Sequence, residues 1–111
     1  MVITLEDTGV IEGIAFENVD EIEKDQIEGK EVIVKDWAFR KSADYGDFVV
    51  ILLELDGKEY KAVMGSGVVI NILKGLEEKG FKEKAKEEGL KCTFRKVDHK
   101  TKKGYTYWIM E

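Results

Sequence analysis

The apolar positions fall into short runs separated by glycine, and the period of each run predicts its element. Residues 31–40 read EVIVKDWAFR. Val32 and Val34 lead on one parity, whereas Trp37 and Phe39 lie on the parity of Ile33 and Lys35. The apolar bias therefore changes sides near Lys35–Asp36. Side chains alternate strictly along a regular strand, so the change predicts a bend or bulge there. SADYGD follows, with Gly46 to make the turn. Residues 47–55, DFVVILLEL, are apolar on both parities, as expected of a central strand with both faces occupied. Asp56-Gly57 is a two-residue hairpin signal. It leads into KEYKAVM, residues 58–64, with Tyr60, Ala62 and Met64 on one side. Three antiparallel strands in succession form a meander.

Gly65-Ser66-Gly67 breaks the strand pattern, and Ser66 is a suitable helix cap. Val69, Ile72, Leu73 and Leu76 then recur at helical spacing. Gly80 divides this helix from a second short one, FKEKAKEE, closed by Gly89. Two more strands, residues 90–97 and 103–110, flank the loop DHKTK. The expected class is mostly β: a five-stranded OB-fold barrel with a helical insertion between strands three and four. The helix would plug the barrel's open end. An SH3-like barrel is the nearest competitor but usually lacks so long an insertion, and another α+β sheet stays open.

Composition narrows the function. A chain of 111 residues holds one domain with one core. The single Cys92 excludes an internal disulfide, and with the single His99 it argues against a cysteine- or histidine-rich metal site. No cofactor is expected. No apolar run reaches the ~20 residues that span a membrane. MVITLEDTG carries acid where a secretory leader would carry base, so the expected location is the cytoplasm, a host's cytoplasm if the source is viral.

The formal net charge of -5 argues against a uniformly basic surface. Its distribution changes that picture. Residues 1–31 hold ten acids and two bases, net -8, while residues 32–111 are net +3. Residues 91–103 alone hold six bases and one acid. The chain divides into an acidic segment, 1–27, with strand-forming runs in VITL and GVIEGIAF, and a domain, 28–111. The acidic segment reads as a solvated arm, as a competitor with nucleic acid for a basic groove, or as a recruiter of a basic partner.

Single strands are held by aromatic platforms beside cations that follow the backbone. The chosen platforms are Trp37, Tyr60, Tyr105 and Tyr107. Trp37 is included because it shares parity with Lys35. The chosen cations are Lys35, Arg40, Lys41, Arg95, Lys100, Lys102 and Lys103. Arg40-Lys41 reads as part of the loop after the first strand, and Lys100, Lys102 and Lys103 as part of the loop between the last two; in an OB-fold these two loops can flank one face. Phe39 and Phe48 carry no polar group and read as core, as does Phe94. Asp44, Asp47, Asp56 and His99 are explained by turns, GSG is too short for a phosphate loop, and Cys92 reads as a small core residue. No enzyme activity is expected.

The run from Ile27 to Leu73 (IEGKEVIVKDWAFRKSADYGDFVVILLELDGKEYKAVMGSGVVINIL) resembles the small OB-fold single-stranded DNA-binding proteins of phages and other mobile elements. KCTFRKVDHKTKKGYTYW resembles the last hairpin of that group. Glu28-Gly29-Lys30 before Val32, the Asp56-Gly57 turn and the helix after the third strand carry the likeness, over residues 27–110. The resemblance implies binding of single-stranded DNA without strong sequence preference, in replication or recombination, with proteins of those processes as partners. One departure is the acidic stretch, here at the N-terminus and not in a C-terminal tail. A protein-interaction or structural OB module, and single-stranded RNA binding, are the alternatives. An edge strand also leaves a homodimer open.

Overall fold

Each glycine-bounded run forms its own element. The structure, a computed structural model, describes residues 16–43 and 46–111. A single helical turn, α1 (Lys24–Ile27), precedes a meander of β1 (Glu31–Ser42), β2 (Gly46–Leu55) and β3 (Lys58–Met64). Two helices follow, α2 (Gly67–Glu78) and α3 (Phe81–Glu88), and then β4 (Leu90–Asp98) and β5 (Thr106–Met110). The strand-forming runs VITL and GVIEGIAF lie outside the described residues, apart from Phe16.

The bulge falls where the change of parity put it. β1 pairs with β2 as Val34↔Leu53 and then Asp36↔Leu52, leaving Lys35 as the extra residue. That residue keeps Val32 and Val34 on the same side of the sheet as Trp37 and Phe39. Opposite them, Val49, Ile51 and Leu53 of β2 and Ala62 and Met64 of β3 complete the inner face. Val50 is also buried, which fits a central strand covered on both faces.

α2 closes the core with Val69, Ile70 and Leu73, and α3 adds Ala85. Ile72 sits on the margin of the helix's apolar stripe and stays exposed, with Ile70 buried in its place. Ser66 caps α2 by accepting the Val69 N–H. Gly89 ends α3 at φ 81° and ψ 148°, a region open essentially to glycine alone. A Cβ there would collide with the Ile33 side chain. β5 begins three residues later than its apolar run suggested. Gly104 takes φ 84°, and the His99 N–H donates to the Tyr105 carbonyl, so Lys103–Tyr105 belong to the loop.

The expectation of an OB-fold barrel does not hold. The strands form an open antiparallel sheet in the order β3-β2-β1-β4-β5, and among the described residues no ladder joins β3 to β5. The backbone supplies the reason. Lys61 of β3 turns its outer N–H and C=O to the N-terminal segment, donating to the Asp20 carbonyl and accepting from the Ile22 N–H. An edge already hydrogen-bonded at its midpoint cannot take β5 there. The same segment reaches β4 at its other end, where the Gly29 N–H donates to the Phe94 carbonyl. Ile27 is fully buried between these anchors and Ile22 packs on the core. Residues 20–29 thus bridge β3 and β4, despite their acidity.

Their carboxylates meet bases of the sheet. Asp20 pairs with Lys58 at 3.1 Å and Asp25 with Lys96 at 3.4 Å. The hydrogen bond that Lys58 donates to Asp20 holds its ammonium above the ordinary pKa, helped by Tyr60.

Candidate functional site

A cleft of 730 Å³, within the range of about 300–1,000 Å³ common for ligand sites, lies between the start of α2 and β5. Its first wall is the Gly65–Val68 turn into α2. Its second is β5 and the loop before it, with His99, Lys100, Tyr107 and Trp108. Lys24 of α1 closes one side. One bond ties the walls together: the Ser66 hydroxyl donates to the Trp108 carbonyl at 2.6 Å. Ser66 thus caps a helix and fixes the depth of the cleft at once.

The second wall is built around one ring. Nδ1 of His99 accepts the backbone N–H groups of Thr101 and Lys102, each at 3.2 Å, with the Thr101 hydroxyl at the same distance. The ring meets Tyr107 edge-on, with centroids 5.9 Å apart and planes at 73°. Tyr107 is half-buried and Tyr105, next along the loop, is 66% exposed. Trp108 is nearly buried, and the ammonium groups of Lys24 and Lys96 lie 5.8 and 5.9 Å from its ring centroid. These are cation–π distances.

Cations cluster at the cleft. Lys58, Lys82, Lys86, Lys91, Arg95 and Lys96 each face a carboxylate within 4 Å. Among the described residues no carboxylate pairs with Lys24, Lys100, Lys102 or Lys103. Three of these four stand on a single seven-residue loop. Among the described residues Lys30, Lys35, Lys41, Lys61, Lys74, Lys79 and Lys84 also have no carboxylate partner but stand apart from the cleft.

The residues singled out from the sequence are not all brought together. Lys100 and Tyr107 line the cleft, and Lys102, Lys103 and Tyr105 stand on its loop. Trp37 does not reach the surface: it is wholly buried. Its shared parity with Lys35 misled, because the bulge falls between them and turns Trp37 inward. Its indole N–H is buried with no hydrogen-bond partner among the described residues. Lys35 runs beside Gly89 at the end of α3. Tyr60 is half-buried against the core with Lys58 5.1 Å from its ring centroid. Arg95 is held by Glu111 at 3.2 Å. Arg40 and Lys41 lie where β1 pairs with the start of β2, at the opposite end of β1 from its ladder to β4. They do not line the cleft.

Nine of the eleven lining residues were not singled out. Among them, Lys24 was hidden in the acidic segment, Ser66 was read as a cap alone, His99 as a turn residue, and Trp108 was not chosen as a platform. The spacing of His99 before Thr101 and Lys102 is the one signal available in advance, because an acceptor side chain two and three residues before free N–H groups makes a turn. No family model matches the chain, and no curated protein or solved structure matches it either.

Proposed function

We propose that the protein binds single-stranded DNA in the cleft between the start of α2 and β5. The observation that carries this reading is the group of four lysines without carboxylate partners beside an aromatic wall. Cations with no internal partner have their full charge available for phosphate, and release of counterions drives that contact. The half-exposed Tyr107 and the exposed Tyr105 supply ring surface that every base can stack on, at about 1–3 kcal/mol per base. Such a surface reads no particular sequence. The alternative of a protein-interaction module is favoured where basic and aromatic residues are segregated; here Lys100 and Tyr107 line one cleft.

The test is a tryptophan-fluorescence titration with oligo-dT at low and high salt. Trp108 sits in the cleft and Trp37 is sealed away, so a change on binding reports the cleft. Binding that weakens with salt and is reduced in the Lys24→Ala, Lys100→Ala double variant is expected. No binding at micromolar protein and low salt would sink the proposal. Competition with oligo-U measures the preference for deoxyribose.

A further inference from the structure

Resting on that reading, we infer that His99 is a positioning residue: its uncharged ring holds the lysine-bearing loop in its binding shape, and a proton on the ring releases it. The geometry is specific to one ring atom. Nδ1 can accept the N–H groups of Thr101 and Lys102 only through its lone pair. In the uncharged ring this leaves the proton on Nε2. A proton added at Nδ1 turns the acceptor into a donor: the bonds from the Thr101 and Lys102 N–H groups are lost together, while the Thr101 hydroxyl, 3.2 Å away, can accept in their place.

No second device holds these two N–H groups among the described residues. Of the loop's other backbone bonds, the His99 N–H to the Tyr105 carbonyl at 2.8 Å closes its base. The Tyr105 N–H to the Lys102 carbonyl, at 3.3 Å, closes its far side. Among the described residues only the imidazole ties Thr101, and with it the stretch carrying Lys100, to the strand end. The ring is itself steadied by the edge of Tyr107, so the same residue sets both a cation and a platform.

The charged and titratable groups around the ring are Asp98, Lys100, Lys102 and Lys103 on its own hairpin, Tyr107 on β5, and Lys24 on the opposite wall. Lysines predominate, so a charged ring also repels the loop it had been holding. Protonation has two opposed effects on a nucleic-acid ligand. It adds one positive charge, which salt screens, and it disorders the loop that carries three others. At moderate salt the second dominates, and affinity falls as the ring gains its proton.

The experiment uses the full chain with three readouts. First, amide signals of Thr101 and Lys102 are followed by NMR from pH 8 to pH 5 without DNA; they are expected to move together with the His99 ring signals. Second, oligo-dT affinity at 0.15 M salt is measured at both ends of that range. Affinity is expected to be about three- to tenfold weaker at the acid end, the net loss of about one ordinary hydrogen bond. Third, His99→Asn and His99→Ala are compared. An asparagine carbonyl can accept the same two N–H groups and does not titrate. His99→Asn should therefore bind at pH 8 like the parent and lose the acid weakening, whereas His99→Ala should be weak throughout. Amides of Thr101 and Lys102 that ignore the ring's titration overturn the proposal, as does His99→Ala binding like the parent at pH 8. Titrating amides in a protein that binds no oligonucleotide would support the loop's dependence on His99 and instead count against the function proposed for the cleft.

Discussion

Trp37 and Cys92 show how much a single residue's role depends on one alternation. Trp37 is a large aromatic two positions from a lysine, a pattern equally suited to a platform and to a core. The bulge at Lys35 decides for the core. Trp37→Ala is expected to lower the unfolding free energy by about 3–5 kcal/mol in a urea titration, the usual result of emptying a large core site. The folded variant should bind oligo-dT with unchanged affinity. Cys92 was legible from the start as a small core residue, and burial pushes its thiol from 9.0 up to about 12. Below pH 9 the thiol is protonated whether the chain is folded or not, and this contribution to stability is complete. As the pH rises from there towards 12 the unfolded chain ionises first, so stability should fall across that window. A chemical-denaturation series with pH checks the slope, with Cys92→Ala as the reference that lacks this share of it. Thiol reagents at pH 8 should leave the native protein unlabelled and label it in denaturant.

At the scale of elements, most of the boundaries set by a glycine backbone angle or a hydroxyl cap were legible. Asp56-Gly57, Gly80 and Gly89 fall where the chain turns, and Ser66 begins α2. The start of β5 was not legible, because KGYTYWIM has no residue that forbids a longer strand; the turn at Gly104 decides it. Ser66→Ala removes the cap of α2 and leaves the Trp108 carbonyl without its hydroxyl donor. A loss of about 1–3 kcal/mol is expected in urea, together with a change in the Trp108 emission maximum. Gly89→Ala meets both a forbidden backbone region and the Ile33 side chain. It should lose at least as much as the cap variant, with about 1–3 kcal/mol from the backbone alone. Equal stability of Gly89→Ala and the parent would show that α3 can end in another conformation.

Over the whole molecule the net charge of -5 is a poor guide to binding, because acids and bases are paired unequally. Asp20 and Asp25 offset bases on β3 and β4, while the loop before β5 keeps its lysines uncompensated. The slope of log K for oligo-dT against log salt should be negative, becoming shallower by about 0.7 for each phosphate contact removed. Lys100→Ala should show this shallower slope, while Lys41→Ala, remote from the cleft, should keep the parent's slope. A shift of equal size in both would move the binding surface to the other end of β1.

The sequence by itself determined the elements, because period, glycine and caps act within a few residues of one another. It determined the bulge, the meander, the two helices and the uneven charge. Whether five strands close into a barrel was decided only in three dimensions. Closure depends on which backbone groups meet the outer edge of β3, and every residue carries nearly the same backbone groups. Asp20 and Ile22 reach Lys61 first, so the sheet stays open. The cleft, the inclusion of a lysine from the acidic segment and the exclusion of Arg40 and Lys41 all follow from tertiary placement, which residue type alone does not encode.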